Sequence, residues 1–469
     1  MSPDLAYRSA SELIALYQAK QGSPVEVTRA CLARIEALNP SLNAFCVIDA
    51  EGALRAARES EARWMRGAPE GLLDGVPVSI KDLLLTSGWP TLRGSRTVDA
   101  DQAWDRDAPA VARLREHHAI LLGKTTTPEF GWKPVTDGPL TGITRNPWNA
   151  AKTPGGSSGG AAVAVATGMG ALAVGTDGGG SIRIPAAFTG IFGLKPSFGR
   201  VPAWPLSLFG TVSHVGPMTR TVEDAARMLD VISEPDVRDW FALPYDDRDY
   251  LDGLNDSIAG LRMAFAPTLA GASVDAEVAQ IVERAVAAFG ELGADVVKAA
   301  PDLGDVANVG RTHWWAGATR VLHSIAPERR AWVDPGLLRI AEKGGAFTLA
   351  DYLAAVEARG AIGAALKQFH ARYPILLTPT LPIPAFDAGR LAPPHHGDVD
   401  GDWTVWAPFS YPFNLTQQPA ASVPCGFTRD GLPVGLQIVG PMHDDRLVLR
   451  VARAFEKARP WHASYARLA

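Results

Sequence analysis

The spacing of apolar and polar residues predicts two helices at the N-terminal end of the chain. Ser9 to Glu12 and Ser23 to Glu26 both match the capping box, in which a serine and a following glutamate cap each other's backbone. Each precedes an amphipathic pattern, and the two helices are predicted to end near Lys20 and Leu38. Asn39-Pro40 is predicted to stop the second helix, because the residue before a proline is disfavoured in helical conformation.

Short apolar runs alternate with helical patterns through the rest of the chain. Val76 to Ile80 predicts a buried strand that leads into Lys81. Such alternation favours a layered α/β core. The pattern predicts further strands at 42–48, 119–123, 171–177, 261–266, 294–298, 375–377 and 436–439, and helices at 50–66, 107–117, 161–170, 222–232, 275–292, 349–369 and 444–458.

A single domain is expected over residues 1–469, because no linker interrupts this pattern. Within it, 1–66 form an N-terminal helical part, 67–233 form a core that contains the candidate chemistry, and 234–469 form a variable part with the C-terminal core. Hydrophobic residues make up 47% of the chain and charged residues 20%, as is usual for a compact globular protein.

Composition and charge exclude several classes of partner. A net charge of −5 provides no electrostatic basis for binding nucleic acid. The uncharged runs 153–176 and 403–428 are predicted to be core and loop and not membrane spans, because small residues dominate the first and four prolines interrupt the second. The ten histidines and three cysteines show no metal-binding spacing, so neither a metal nor another cofactor is expected.

The chain is predicted to be cytoplasmic. Its first residues lack the basic and apolar regions of a secretory signal. Cys31, Cys46 and Cys425 are widely spaced and are interpreted as buried thiols in a reducing compartment.

One stretch, Thr153 to Arg183, concentrates the candidate chemistry. It contains two glycine-rich clusters, at 155–160 and 178–180, and each adjoins serine. Three consecutive glycines before Ser181 would leave backbone N–H groups free to bind a developing oxyanion, and a helix that begins near Ser181 would add positive potential. Ser181 is therefore a candidate nucleophile, and it needs a base from elsewhere in the chain.

These motifs resemble those of the amidase signature family. Gly155 to Gly160 and Gly175 to Pro185 match the defining motif, and Asp74 to Asp82, Gly190 to Pro196 and Gly431 to Gln437 continue the match along nearly the whole chain. The resemblance implies the amidase signature fold, an α/β fold in which helices flank both faces of a central mixed β-sheet (three-layer α/β/α). It also implies an amidase, a hydrolase that cleaves a carboxamide to a carboxylate and an amine or ammonia.

The resemblance further implies a Ser–Ser–Lys triad. Lys81 would be the base, Ser157 the relay serine, often preceded by a cis peptide bond, and Ser181 the nucleophile that forms an acyl-enzyme. A lysine base must be neutral, and burial would lower its pKa enough for that. The oxyanion would be held by the backbone N–H groups of Gly178, Gly179, Gly180 and Ser181.

Three further residues are expected to support this site. Asp177 is expected to pair with Arg183 and to brace the glycine loop, and it is not expected to take a proton. Ser158 is the second serine of the pair that contains the relay serine, and it is included as a supporting residue.

Aromatic residues predict the character of the substrate pocket. Trp403, Trp406 and Phe409 lie close together in the sequence, and His313 to Trp315 form a second cluster. Together they suggest an apolar or aromatic acyl pocket for a small-molecule amide, although core packing explains each residue equally well. The resemblance also leaves open a homodimer formed through the N-terminal helices.

Three other functions fit parts of the sequence. The glutamine-hydrolysing A subunit of a tRNA-dependent amidotransferase resembles the chain in length and core, but it usually carries an acidic residue where this chain has Ala407. An α/β-hydrolase esterase would use the G-x-S-x-G match at Gly156 to Gly160, with Ser158 as nucleophile and His443 as its histidine. An inactive binding protein is disfavoured, because all three triad residues are present.

Overall fold

An eleven-stranded mixed β-sheet forms the centre of the protein. The computed structural model describes residues 4–247, 249–397 and 399–468. Within these ranges the strands are β1 Phe45–Ile48, β2 Pro77–Lys81, β3 Ile120–Thr125, β4 Asp137–Gly138, β5 Gly142–Ile143, β6 Leu172–Asp177, β7 Phe192–Lys195, β8 His214–Thr219, β9 Arg262–Phe265, β10 Asp295–Lys298, β11 Ile375–Pro379, β12 Ala420–Phe427 and β13 Pro433–Val439.

Helices connect most of these strands. The α-helices of the described residues are α1 Asp4–Tyr7, α2 Ala10–Gln18, α3 Pro24–Leu42, α4 Ala50–Met65, α5 Pro109–Glu116, α6 Gly159–Ala166, α7 Arg183–Thr189, α8 Val222–Ile232, α9 Ala276–Glu291, α10 Val306–Ser324, α11 Pro335–Gly345, α12 Leu349–Arg372, α13 Pro412–Leu415 and α14 Asp445–Ala458. Short 3₁₀ helices lie at Glu129–Gly131, Gly210–Val212, Pro327–Trp332, Pro394–His396, Trp403–Trp406 and His462–Leu468.

The strand order brings the candidate chemistry to one edge of the sheet. The order is β1-β3-β2-β6-β8-β7-β12-β13-β11-β9-β10, and β4 and β5 form a separate hairpin. β2 runs parallel to β6 with Ile80 beside Val174, so that the carboxyl ends of the two strands lie together. β8 runs antiparallel to β6 and pairs His214 with Asp177. The end of β2, the end of β6 and the start of β8 are therefore neighbours.

Both faces of the sheet are buried. Ile375 and Leu377 of β11 belong to one hydrophobic cluster, which includes Val278 of α9 and Val448 of α14. Leu376, between them, belongs to a second cluster that is formed largely with α10 and α11. Because successive side chains of a strand point to opposite faces, helices cover the sheet on both sides. The predicted α/β fold with a central mixed sheet between two helical layers is confirmed; the proposed division at residues 66 and 233 stays a prediction.

The N-terminal helices agree with their predicted starts but not with one predicted end. The capping boxes that begin with Ser9 and Ser23 are both formed. The prediction that Asn39-Pro40 stops the second helix is wrong, because α3 includes Pro40 and ends at Leu42. Pro40 lies in the last turn, and the helix ends two residues later: Asn43 adopts a φ of 53° and its N–H donates to the carbonyl of Asn39 at 2.8 Å.

The cysteines differ from the prediction that all three are buried. All three are free thiols, but only Cys31 is buried. Cys46 is exposed because β1 is an edge strand of the sheet, and Cys425 is partly exposed at a register shift in β12. No described helix combines the length and the apolar character needed to cross a lipid bilayer.

Candidate active site

Lys81 is the last residue of β2, and its amine is enclosed by hydroxyl groups. The side chain is fully buried. Its Nζ lies 2.7 Å from Ser157 Oγ, 2.8 Å from Ser158 Oγ and 2.9 Å from Thr176 Oγ1. Lys81 and Ser157, which are 76 residues apart in the chain, are thus brought into direct contact. The base and the relay serine predicted from the sequence meet in the structure.

The surroundings of Lys81 favour the neutral amine. Burial lowers the pKa of Lys81 well below 10.5, and the charge of Asp177 opposes this only in part. The Asp177 carboxylate is already paired with Arg183 at 3.0 Å. Lys81 therefore lacks a dedicated counter-ion, and a neutral amine can accept a proton from a neighbouring hydroxyl group.

The serine pair is presented at the start of α6. The peptide bond between Gly156 and Ser157 is cis, and Ser158 is the N-cap residue of α6. The Ser158 N–H donates to the carbonyl of Ser181 at 3.1 Å. Ser158 therefore contacts Lys81 through its side chain and the nucleophile segment through its backbone, which fits the supporting position expected for it.

Asp177 and Arg183 form a fully buried ion pair at the end of β6. Burial alone would raise the pKa of Asp177, but the Arg183 guanidinium and hydrogen bonds from Arg183 and Asn414 hold it far below its usual range. Arg183 also donates to Asn414 Oδ1 and Gln437 Oε1, both at 2.7 Å. The pair thereby ties the glycine loop to α13 and β13, as the predicted bracing role requires.

The same carboxylate changes which N–H groups are free. Asp177 Oδ1 accepts the Gly180 N–H at 2.7 Å, and Oδ2 accepts the Ile182 N–H at 3.1 Å. Gly180 is one of the predicted oxyanion donors, but in this structure its N–H donates to Asp177. The helix predicted near Ser181 begins at Arg183, and its first N–H groups also face Asp177. The helix start thus stabilises the carboxylate.

The remaining N–H groups of the loop are available. Among the described residues, none accepts a hydrogen bond from the backbone N–H of Gly178, Gly179 or Ser181. A Cβ atom at residue 179 would lie 2.5 Å from the ring of Trp403, so only glycine fits under this indole. Ser181 is 6% exposed. The loop thus leaves Gly178, Gly179 and Ser181 as candidate oxyanion donors.

Of the three predicted substrate-binding aromatic residues, only Trp403 lies beside the glycine loop. Trp406 and Phe409 are fully buried. Trp406 stacks on Phe188 at a centroid distance of 6.4 Å, and its Nε1 donates to the carbonyl of Leu391 at 2.9 Å. Core packing therefore accounts for Trp406 and Phe409, and their predicted contact with substrate is corrected on this ground.

A cavity of about 210 Å³ borders the site on another side. We name it the Phe130–His214 cavity. It reaches Thr176, whose hydroxyl contacts Lys81, and Phe130, which precedes Gly131; a Cβ atom at Gly131 would lie 3.1 Å from Ser157 Oγ. Its wall also includes Phe198, Trp204 and Phe209. Sequence reasoning missed these residues, because their aromatic character did not distinguish them from core residues.

The described residues contain no group of three or more His, Cys, Asp or Glu side chains arranged to hold a metal ion. Of the histidines near the site, His214 lines the Phe130–His214 cavity. His443 is exposed at the start of the loop before α14, and its N–H donates to Ser197 Oγ.

Comparisons with known proteins place the chain in a family. The family model described as Amidase matches residues 26–449. The chain is 38% identical over 463 residues to an acylamidase of Rhodococcus erythropolis, with 98% of this chain and 97% of that protein covered. It is 36% identical to the A subunit of the glutamyl-tRNA(Gln) amidotransferase of Myxococcus xanthus, with 95% and 96% covered.

Two solved structures are similar over 98% of both chains. One is a bacterial aryl acylamidase of the amidase signature enzymes, with a TM-score of 0.90 and 32% sequence identity. The other is a 6-aminohexanoate cyclic dimer hydrolase in complex with substrate, with a TM-score of 0.88 and 30% identity.

Proposed function

The chain belongs to the amidase signature family and is an amide hydrolase, and we propose that Lys81, Ser157 and Ser181 carry out the hydrolysis. The observation that supports this assignment most directly is the contact of 2.7 Å between the Lys81 amine and the Ser157 hydroxyl. A fully buried lysine without a dedicated counter-ion is suited to act as a neutral base. The substrate is a small-molecule amide.

Proton transfer through the two serines prepares the attack. Lys81 accepts the proton of Ser157 while Ser157 accepts the proton of Ser181. The Ser181 Oγ forms a bond to the carbonyl carbon, and the carbonyl π electrons move to oxygen. The N–H groups of Gly178 and Gly179, with that of Ser181, stabilise this oxyanion.

Collapse of the tetrahedral intermediate releases the amine. The C–N bond breaks as Ser157 donates a proton to the leaving nitrogen, because an unprotonated amide nitrogen leaves poorly. The protonated Lys81 returns its proton to Ser157, and the carboxyl group remains as an ester of Ser181. A water molecule then attacks this ester with the same relay acting as base, which releases the carboxylic acid and restores all three residues.

The glutamine-dependent amidotransferase is the second function to weigh, since relatives of that kind also match the chain. A glutamine-hydrolysing site would need an acidic group to hold the ammonium of glutamine. At the corresponding position Ala407 is fully buried within a hydrophobic cluster. This position therefore offers no acidic side chain to hold an ammonium group.

The esterase alternative has no support from the surroundings of Ser158. Its Oγ is fully buried and lies against Lys81 and Thr176. None of the described histidines contacts it, so the Ser–His pair of an α/β-hydrolase is not formed.

We also propose that the enzyme works in the cytoplasm, alone or as a homodimer, and needs no cofactor, nucleic acid or membrane. The free thiols of all three cysteines suit a reducing compartment. A net charge of −5 suits a small-molecule substrate better than a nucleic acid.

The test is hydrolysis by the purified chain alone, without ATP. Aliphatic amides, aromatic amides and glutamine are supplied to the wild-type protein and to Ser181→Ala, and released amine or ammonia is measured. We expect turnover of simple amides and a loss of at least about 10³-fold in the variant. Rapid quenching and peptide mass spectrometry should find the acyl group on Ser181, in Ser158→Ala as in wild type. An acyl group on Ser158, or glutamine as the sole substrate, would contradict the proposal.

A further inference from the structure

His214 is a buried histidine that the proposed reaction does not use. It is the first residue of β8, and its side chain is 4% exposed. The ring packs edge-on against Phe198 at a centroid distance of 5.6 Å. Its Nδ1 lies 2.9 Å from the carbonyl oxygen of Val212 and 3.2 Å from that of Asp177. One edge of the ring is thus fixed by the backbone beside the glycine loop.

These contacts define the tautomer of His214. Both groups that face Nδ1 are carbonyl oxygens, which only accept hydrogen bonds, so Nδ1 carries the proton. Burial lowers the pKa of His214 well below 6.5. The ring is therefore neutral, and its Nε2 has a free lone pair that can only accept a hydrogen bond.

The Nε2 atom is buried and has no hydrogen-bond partner among the described residues. Most buried polar atoms do have such a partner, and each exception needs an explanation. His214 lines the Phe130–His214 cavity, together with Thr176, whose hydroxyl is 2.9 Å from the Lys81 amine. The side chain that carries this unfilled acceptor thus belongs to a residue in the wall of a cavity that adjoins the proposed base.

The rest of the cavity limits what can fill it. Its wall includes the aromatic residues Phe130, Phe198, Trp204 and Phe209, together with several hydroxyl-bearing residues. Arg93 and Asp239 also line it, so its formal charges cancel. Burying an ammonium group against aromatic walls would cost much more than burying a neutral hydroxyl or amide group that is hydrogen-bonded.

Resting on the proposed function, we propose that this cavity binds one side of the amide substrate, an aromatic or apolar group with a neutral O–H or N–H donor, and that His214 Nε2 accepts the hydrogen bond of this donor. His214 is then a specificity-determining residue that touches the substrate. The enzyme should discriminate against analogues that have the same shape but cannot donate, because they leave Nε2 unpaired.

The test uses two substitutions that distinguish the hydrogen-bonding role of Nδ1 from that of Nε2. In His214→Asn the side-chain amide can still donate to the backbone carbonyls that Nδ1 contacts, but it offers no acceptor at the position of Nε2. In His214→Gln the longer side chain can place its carbonyl oxygen near that position. The preference for a donor-bearing substrate should be lost in His214→Asn and partly recovered in His214→Gln. General damage to β8 would not produce this difference between the two variants.

The substrates are aromatic amides in matched pairs, one with a hydroxyl group and one with a methoxy group at the same ring position. The substituent is moved around the ring of phenylacetamide, to probe the acyl side, and of acetanilide, to probe the amine side. We expect one hydroxyl isomer to exceed its methoxy partner about tenfold in kcat/KM in the wild-type protein, and this ratio to fall to about one in His214→Asn. No hydroxyl preference in the wild type, or a preference that survives in His214→Asn, would overturn the inference.

A binding measurement separates this inference from the proposed nucleophile. The preferred hydroxyl amide is titrated into Ser181→Ala labelled with ¹⁵N-histidine, and the Nε2 resonance is followed. A shift of that resonance on binding supports the His214 contact even if Ser181→Ala proves active and the nucleophile assignment fails. Saturable binding with no shift overturns the contact while leaving the nucleophile assignment intact. This readout also decides the question if His214→Asn does not fold.

Discussion

Replacement of Lys81 by methionine should change how stability depends on pH, independently of any activity. The folded protein keeps Lys81 fully buried, and burial lowers the pKa of its amine well below 10.5. In the unfolded chain the same amine would titrate near 10.4. Between these two values the unfolded state binds one more proton than the folded state. The contribution of Lys81 to the free energy of unfolding must therefore rise with pH over this window.

The slope follows from the proton count. One extra proton bound by the unfolded state corresponds to about 1.4 kcal/mol per pH unit. A base that is neutral at pH 7.5, as the proposed mechanism requires, gives the wild-type protein about 2.7 kcal/mol relative to Lys81→Met from pH 7.5 to 9.5. The variant also loses the contacts of the amine with Ser157, Ser158 and Thr176, but this loss does not vary with pH. The difference between the two proteins therefore isolates the titration of Lys81.

The assay is urea unfolding of both proteins at several pH values, with reversibility checked at each. Lys195 is also fully buried with a lowered pKa, so Lys195→Met should show a similar slope. Ser157→Ala removes a contact of Lys81 without removing a titrating group, and its difference from wild type should stay nearly constant. A constant difference between wild type and Lys81→Met would show that the folded protein retains the lysine proton. The neutral-base mechanism would then be refuted.

Three further substitutions test the site and its surroundings. Asp177→Asn should lower the free energy of unfolding by about 3–5 kcal/mol, because it leaves a buried guanidinium without its partner; a loss below about 1 kcal/mol in chemical unfolding would contradict this. Gly131→Ala should lower kcat about tenfold or more, because the added Cβ would lie 2.9 Å from Leu83 Cδ1 and 3.1 Å from Ser157 Oγ at a φ of 71°. Gly138→Ala, with its nearest neighbour at 3.7 Å, should retain full activity. Trp406→Ala should cost about 3–5 kcal/mol of stability and leave the preference between aliphatic and aromatic amides unchanged, and an altered preference would restore its role in the pocket.

The contact between Lys81 and Ser157 could be predicted because short sequence segments indicate both the burial of the lysine and its role beside the serines. An apolar strand before Lys81 indicated burial, and the glycine-serine segments resembled a family motif in which lysine serves as base. The parallel pairing of β2 with β6 then brings the strand ends together. The sequence alone could not give the third contact of the amine, with Thr176, because that contact depends on the register between these strands.

One of the four expected oxyanion donors, the N–H of Gly180, is engaged elsewhere because of hydrogen-bond competition. The pairing of Asp177 with Arg183 was expected from their residue types. A carboxylate has two oxygens and about four acceptor positions, so a single guanidinium does not use its full capacity. The remaining capacity is used by the N–H groups of Gly180 and Ile182. A run of three glycines shows that backbone is accessible, but not which N–H group a neighbouring side chain has already taken.

The Phe130–His214 cavity was not predicted, because the observation that draws attention to it is a hydrogen bond that is not formed. Trp406 and Phe130 are both aromatic. Trp406 is fully buried in the core, whereas Phe130 lines a cavity beside the proposed base. A histidine before Val-Gly-Pro has no distinctive signature in the sequence either. His214 becomes informative only when both acceptors of its Nδ1 proton are known, because they leave Nε2 as a buried acceptor without a partner among the described residues. Packing and hydrogen-bond geometry are therefore needed to infer which substrate the chain recognises, whereas sequence motifs are enough to indicate the reaction that it catalyses.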